Sequence, residues 1–158
     1  MPTQPSLCLI LHNVRSAHNV GAIFRTAEAA GVNQIYLTGY TPAPLDRFSR
    51  PNRELAKTAL GAEKIVGWQV FKNLTPLLKK LQVNEANKLI ALEQSSNSIN
   101  YKKVKVTGPT AIIVGNEVSG LTPAILKRCA IIAEIPMRGR KESLNVAVAT
   151  GIFLFQII

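Results

Sequence analysis

Five short apolar runs, each bounded by turn-forming residues, narrow the folds open to this chain more than any other feature. "LCLIL" (7–11), "QIYLT" (34–38), "KLIAL" (88–92), "AIIVG" (111–115) and "IIAEI" (131–135) are nearly continuous in hydrophobicity. A strand with one face in water alternates apolar with polar residues. A continuous run suits a strand covered on both faces, as in a parallel sheet. A sixth run, "GWQVF" (67–71), is a weaker strand, and helical patterns lie near 19–30, 53–59, 74–82 and 122–128. This alternation predicts an α/β fold with a mostly parallel sheet flanked by helices. With 158 residues, no internal repeat and no long linker, the prediction is one domain, 1–158.

The last stretch, "SLNVAVATGIFLFQII" (143–158), is apolar almost all the way round after Asn145. The helix it predicts needs cover on more than one side, which points to a central position or a subunit interface. A homodimer through the C-terminal helix is therefore expected. The absence of a polar tail after "FQII" fits either a shortened terminus or one buried in that interface.

Charge sets the kind of partner. Nineteen Lys and Arg against nine Asp and Glu leave a formal +10, the balance of a protein that meets a polyanion. Membrane binding would call for a basic amphipathic helix, and the sequence has no clear one. The segment "MPTQPSLCLILHNV" has no basic leader and too short an apolar run for a signal peptide or a span, so a cytoplasmic location is expected. Two cysteines and two histidines suit neither a disulfide framework nor a zinc site, and no metal is expected.

Two loops stand out. "GYTPAPLDRFSRPNRE" (39–54) is proline-rich and carries Arg47, Arg50 and Arg53; "PMRGRKES" (136–143) sets Arg138, Arg140 and Lys141 around Gly139. Either can be a solvated turn. Both follow predicted strands, however, and α/β proteins bind ligands beyond the carboxyl ends of their strands. The doublets Lys79-Lys80 and Lys102-Lys103 read as solubilising surface.

Three stretches place polar residues in apolar surroundings. In "HNVGAIFRTAEAAG" (18–31), Arg25 sits beside the apolar face of a helix that opens on Asn19-Val-Gly; capping and a snorkelling arginine would account for it locally. In "IIVGNEVSGL" (112–121), Glu117 lies between Gly115 and Gly120 and needs a partner if buried. That loop lacks the Lys-Ser/Thr of a phosphate loop and the spacing of a dinucleotide fingerprint. In "IPMRGRKESLNVAVA" (135–149), Ser143 is a candidate N-cap of the last helix and Asn145 lies in its first turn. Taken singly, each has a purely structural explanation.

Taken together, in this order, the three closely resemble the motifs of the SpoU (TrmH-type) RNA ribose methyltransferases of the SPOUT superfamily, over nearly the whole chain. The resemblance implies a C-terminal trefoil knot, a dimer, and transfer of a methyl group from S-adenosyl-L-methionine to a ribose 2′-hydroxyl. Carried over position by position, it implies Arg25, Asn19, Glu117, Ser143 and Asn145 as catalytic residues. It implies a cofactor pocket at Leu92, Glu93, Gly115, Ile135, Met137, Ser143 and Leu144. The RNA surface expected here is Arg47, Arg50 and Arg53, with neighbouring Lys57, then Arg138 and Arg140. The chain resembles the minimal members of the family, which favours tRNA over rRNA as substrate. The alternatives are rRNA methylation, base methylation, or a non-catalytic RNA-binding protein on the same fold.

The chemistry suits these residue types. In-line transfer needs the ribose oxygen held about 3–3.5 Å from the methyl carbon. A guanidinium grips phosphate bidentately and stabilises a developing oxyanion. Because arginine keeps its proton in proteins, Arg25 is expected to orient the site while a phosphate oxygen or water accepts the proton. Glu117 is expected to fix Asn19, Arg25 or its own loop.

Overall fold

A computed structural model describes residues 6–32 and 34–158. The opening MPTQP, part of the segment without a basic leader, lies outside them. The apolar runs form β1 (Leu7–His12), β2 (Gln34–Thr38), β3 (Gly67–Phe71), β4 (Lys88–Leu92), β6 (Thr110–Val114) and β7 (Ile131–Glu134), joined by a two-residue β5 (Ile99–Asn100). The sheet order is β3-β2-β1-β6-β4-β7-β5, and every pairing is parallel. The unforeseen β5 is too short to show a hydrophobic period.

The continuous runs are explained by burial on both faces. On β1, Leu9 and Leu11 join one core with Phe24 and Phe153, while Ile10 joins a second with Leu77 and Leu78. Helices α1 (Ala17–Ala29), α2 (Arg53–Ala59) and α5 (Val146–Ile157) supply the first side; α3 (Leu74–Lys80) and α4 (Pro123–Leu126) supply the second. The weaker run, β3, is an edge strand with Gln69 and Val70 exposed, which is why its pattern is diluted. Lys80 is more than a solubilising charge: its ammonium lies 5.6 Å from the Tyr36 ring centre and 5.5 Å from that of Phe71, and donates to Gln69 Oε1 at 2.6 Å.

Local chemistry sets the helix starts. Ser16 caps α1 by accepting from the Asn19 amide, Asn52 caps α2 through Leu55, and Thr122 precedes Pro123 at the start of α4. The last helix departs from expectation: its cap is Asn145, whose Oδ1 accepts from the Ala147 and Val148 amides, and not Ser143. Residues 143–145 therefore precede the helix, because an Asn two residues nearer the apolar run captures the first free amides. Gly21 lets α1 and α2 touch, since a Cβ there would collide with the Leu55 carbonyl and the Thr58 hydroxyl. Within the chain α5 buries Thr150, Phe153 and Leu154 and leaves Val148, Ile152, Phe155 and Ile158 exposed.

Candidate functional site

The carboxyl ends of β1, β6, β4 and β7 are neighbours in the sheet, so the segments leaving them converge. The segment after β6 is a closed loop. The Asn116 side chain accepts from the Val118 and Ser119 amides at 2.9 Å, and the Gly120 amide returns to the Asn116 carbonyl at 3.0 Å. Gly120 has φ 65°, and a Cβ there would strike the Glu93 carboxylate. Glu93 in turn accepts from the Leu121 amide at 3.0 Å, so the end of β4 holds the loop shut. Asn116 Nδ2 donates to the Asn13 carbonyl at 3.1 Å and to the Tyr40 hydroxyl at 3.0 Å, tying the loop to the ends of β1 and β2.

Glu117 points from this loop to the start of α1. Its carboxylate accepts from the Arg15 and Ser16 amides, both at 3.0 Å, and from the Asn19 side chain at 3.2 Å. Burial opposes the negative charge, but those hydrogen bonds, with one from its own amide, outweigh burial and hold the carboxyl below the ordinary range. Asn19 Oδ1 then accepts from Asn145 Nδ2 at 3.0 Å. Residues from the three polar stretches thus form one chain, Glu117–Asn19–Asn145, with the outer members capping or joining helix starts.

Beside this chain lies a cavity of about 320 Å³. Its lining includes every residue expected in a cofactor pocket: Leu92, Glu93, Gly115, Ile135, Met137, Ser143 and Leu144. Glu117 also lines it. Gln94, at the end of β4, donates to the Glu142 carbonyl at 2.8 Å and joins one wall to the 135–145 segment. Sequence reading missed Glu134 and Glu142 as lining residues; only their place at the end of a strand and shortly before the last helix hinted at it. Neither carboxylate makes an ion pair among the described residues. A protein of net +10 with nine acidic residues places four of them, Glu93, Glu117, Glu134 and Glu142, around one cavity. Apolar walls from Leu92, Ile135, Met137 and Leu144, with acidic residues in the same lining, fit a molecule that joins a flat heterocycle to a separate cationic group, the chemistry of S-adenosylmethionine.

Arg25 is placed elsewhere. It is exposed rather than partly desolvated, and it lines a second cleft with Lys57, Thr58, Leu60 and Phe155. Within one chain it belongs neither to the Glu117–Asn19–Asn145 chain nor to the cavity lining, because it projects from a different side of α1. The expected RNA contacts are all exposed: Arg47 and Arg50 on the loop before α2, Arg53 at its first turn, Arg138 and Arg140 on the segment bordering the cavity. The thiols are set apart from this chemistry. Burial pushes Cys8 up to about 12 and Cys129 to about 11, values that leave both protonated near neutrality.

The SpoU rRNA Methylase family matches residues 6–155. The chain is 34% identical over 152 residues to a 23S rRNA (guanosine-2′-O-)-methyltransferase of Pseudomonas aeruginosa, covering 96% of this chain and 58% of that protein. It is 35% identical over 154 residues to the tRNA (guanosine(18)-2′-O)-methyltransferase of Aquifex aeolicus, covering 97% and 69%. The AdoMet-bound rRNA methyltransferase of Sinorhizobium meliloti superposes with a TM-score of 0.83 at 31% identity, covering 98% and 56%. This chain spans about three-fifths of the length of the 23S rRNA methyltransferases it matches.

Proposed function

Because this chain belongs to the SpoU methylase family, we propose that it is an RNA ribose 2′-O-methyltransferase that uses S-adenosylmethionine. The observation that carries the proposal is the Glu117–Asn19–Asn145 chain at the wall of a cavity of the right chemistry. Leu92, Ile135, Met137 and Leu144 would hold the adenine ring, and Glu134 and Glu142, which make no ion pair among the described residues, would supply negative charge for the positive sulfonium. When bound, the cofactor supplies a methyl group activated by that sulfonium. Glu117, kept ionised by its amide partners, fixes Asn19 and locks the loop against the start of α1. Asn19 and Asn145 then present fixed polar groups toward an incoming ribose, so that orientation is built before substrate arrives.

The proposal includes a homodimer through α5. Its support is the exposed apolar row Val148, Ile152, Phe155 and Ile158, and the position of Arg25 in a cleft edged by Phe155. Two-fold pairing over this row would bring Arg25 of each protomer toward its partner's cavity, where a guanidinium could grip the phosphate next to the target ribose. The trefoil knot implied by the family belongs to the same reading. It is supported by the interleaved order β6-β4-β7 and by the 135–145 segment returning past the ends of β4 and β6. Among RNA classes we favour tRNA, the substrate named for the Aquifex aeolicus relative that is 35% identical over 154 residues.

The test uses purified protein with radiolabelled S-adenosylmethionine and separate pools of unmodified tRNA and rRNA fragments, digested to nucleosides, with Arg25→Ala alongside. Label in a 2′-O-methylnucleoside from tRNA, lost in the variant, is the expected outcome. Label from rRNA alone overturns the tRNA preference. Label on a base, or no cofactor binding, overturns the reaction.

A further inference from the structure

We propose that the turn between Leu45 and Pro51 is a stacking platform for an unpaired nucleobase of the RNA, with Phe48 as its ring; this rests on the RNA-methyltransferase reading above. Phe48 is 62% exposed, and isolated surface aromatics are common enough to mean nothing alone. What sets this one apart is how it is held. Arg47 Cζ lies 4.8 Å from the ring centre and Arg50 Cζ 5.0 Å, so three flat groups are gathered at one loop tip.

Asp46 organises that tip. Its Oδ1 accepts from the Phe48 amide at 2.8 Å and the Arg50 amide at 3.0 Å, while Oδ2 accepts from Arg50 Nε at 2.8 Å. The Asp46 amide donates to the Arg50 carbonyl at 3.0 Å, and Leu45 bridges Pro51 in antiparallel fashion. The turn is thus closed and pre-shaped, with the Phe48 ring turned to solvent at its tip. Arg47 makes no hydrogen bond among the described residues, and Arg50 commits only Nε in side-chain bonding. Both retain donors for phosphate.

Both ends of the loop are tied to the candidate site. On the entering side, Tyr40 bonds Asn116; on the leaving side, Glu54 accepts from His18, next to Asn19, at 2.5 Å. The loop is therefore anchored at one end to Asn116, which lines the cavity, and at the other to His18, the neighbour of Asn19. Unpaired bases stack on aromatic rings and guanidinium planes, and because every base has a π-face such a platform tolerates sequence.

The experiment measures binding by fluorescence anisotropy for unmodified tRNA, a short labelled single-stranded RNA and a blunt duplex of equal length. Phe48→Ala should weaken tRNA and single-strand binding about tenfold, leave duplex binding unchanged, and be rescued by Phe48→Trp. Its salt dependence should match the wild type, whereas Arg47→Ala should reduce the slope by about one. Unchanged S-adenosylmethionine affinity and melting temperature in Phe48→Ala exclude misfolding. Wild-type single-strand affinity in Phe48→Ala, or equal losses on single strand and duplex, overturns the platform. A wild-type protein that binds cofactor but no RNA overturns the RNA reading itself, and the platform with it.

Discussion

Glu117 shows what a single side chain does here. It sits in a basic protein, accepts two backbone amides and an Asn side chain, and links segments about a hundred residues apart in sequence. Hydrogen bonds to a charged group contribute roughly 1.5–3 kcal/mol each, and removing the acceptor leaves three donors without it. Glu117→Gln keeps the shape but loses the charge, and should lower kcat at least about tenfold with little change in RNA affinity. Because its native pKa lies below the ordinary 4.5, its stabilising contribution is complete above that value and is lost as pH falls through the depressed native one. In acid unfolding followed by circular dichroism, Glu117→Gln should flatten the loss of stability that the wild type shows below pH 4.5. The sequence left the partner of Glu117 open among Asn19, Arg25 and its own loop; the fold decides for Asn19 and adds the Arg15 and Ser16 amides. A carboxylate between two glycines signals that a partner is needed, and only the fold says it is the opening of α1.

Among the elements, α1 carries the most constraint. The Asn-x-Gly opening combines two requirements two residues apart, on different faces of the helix. Asn19 faces Glu117 and Asn145, and Gly21 faces the backbone of α2. Gly21→Ala places a methyl against a carbonyl that cannot swing aside, so α1 and α2 must separate. The expected cost is about 1–3 kcal/mol of stability, read as a lowered urea midpoint with an unchanged slope. Normal stability in that variant would mean that the helix pair yields more readily than its packing indicates. The final helix illustrates the opposite case. Its unbroken hydrophobicity announced the need for cover, but its true start at Asn145 was obscured by Ser143, an equally good cap by residue type. Competition between neighbouring caps is settled by where the preceding strand delivers the chain.

For the whole molecule, the +10 charge and the four glutamates at one cavity divide the surface into a basic exterior and a locally acidic pocket. RNA affinity should fall steeply with salt, and cofactor affinity only weakly, because few exposed charges are involved in the latter. If Arg25 serves the partner's cavity, Arg25→Ala and Asn145→Ala should each abolish methylation, and mixing them under exchange should restore part of it. Mixed protein that stays inactive, although mass analysis shows exchanged dimers, would place Arg25 in its own protomer's site. Hydrophobic runs and caps are short-range properties, so the strands, the parallel sheet and most helix bounds could be read from the sequence. The three polar stretches were legible as exceptions to that pattern, and family resemblance gave them roles. Their convergence was another matter. Which strand ends become neighbours depends on the order β1-β6-β4-β7, a product of long-range packing that no local window contains. That order brings Glu117, Asn19 and Asn145 into one hydrogen-bonded chain, although 98 residues separate Asn19 from Glu117 and 126 separate it from Asn145.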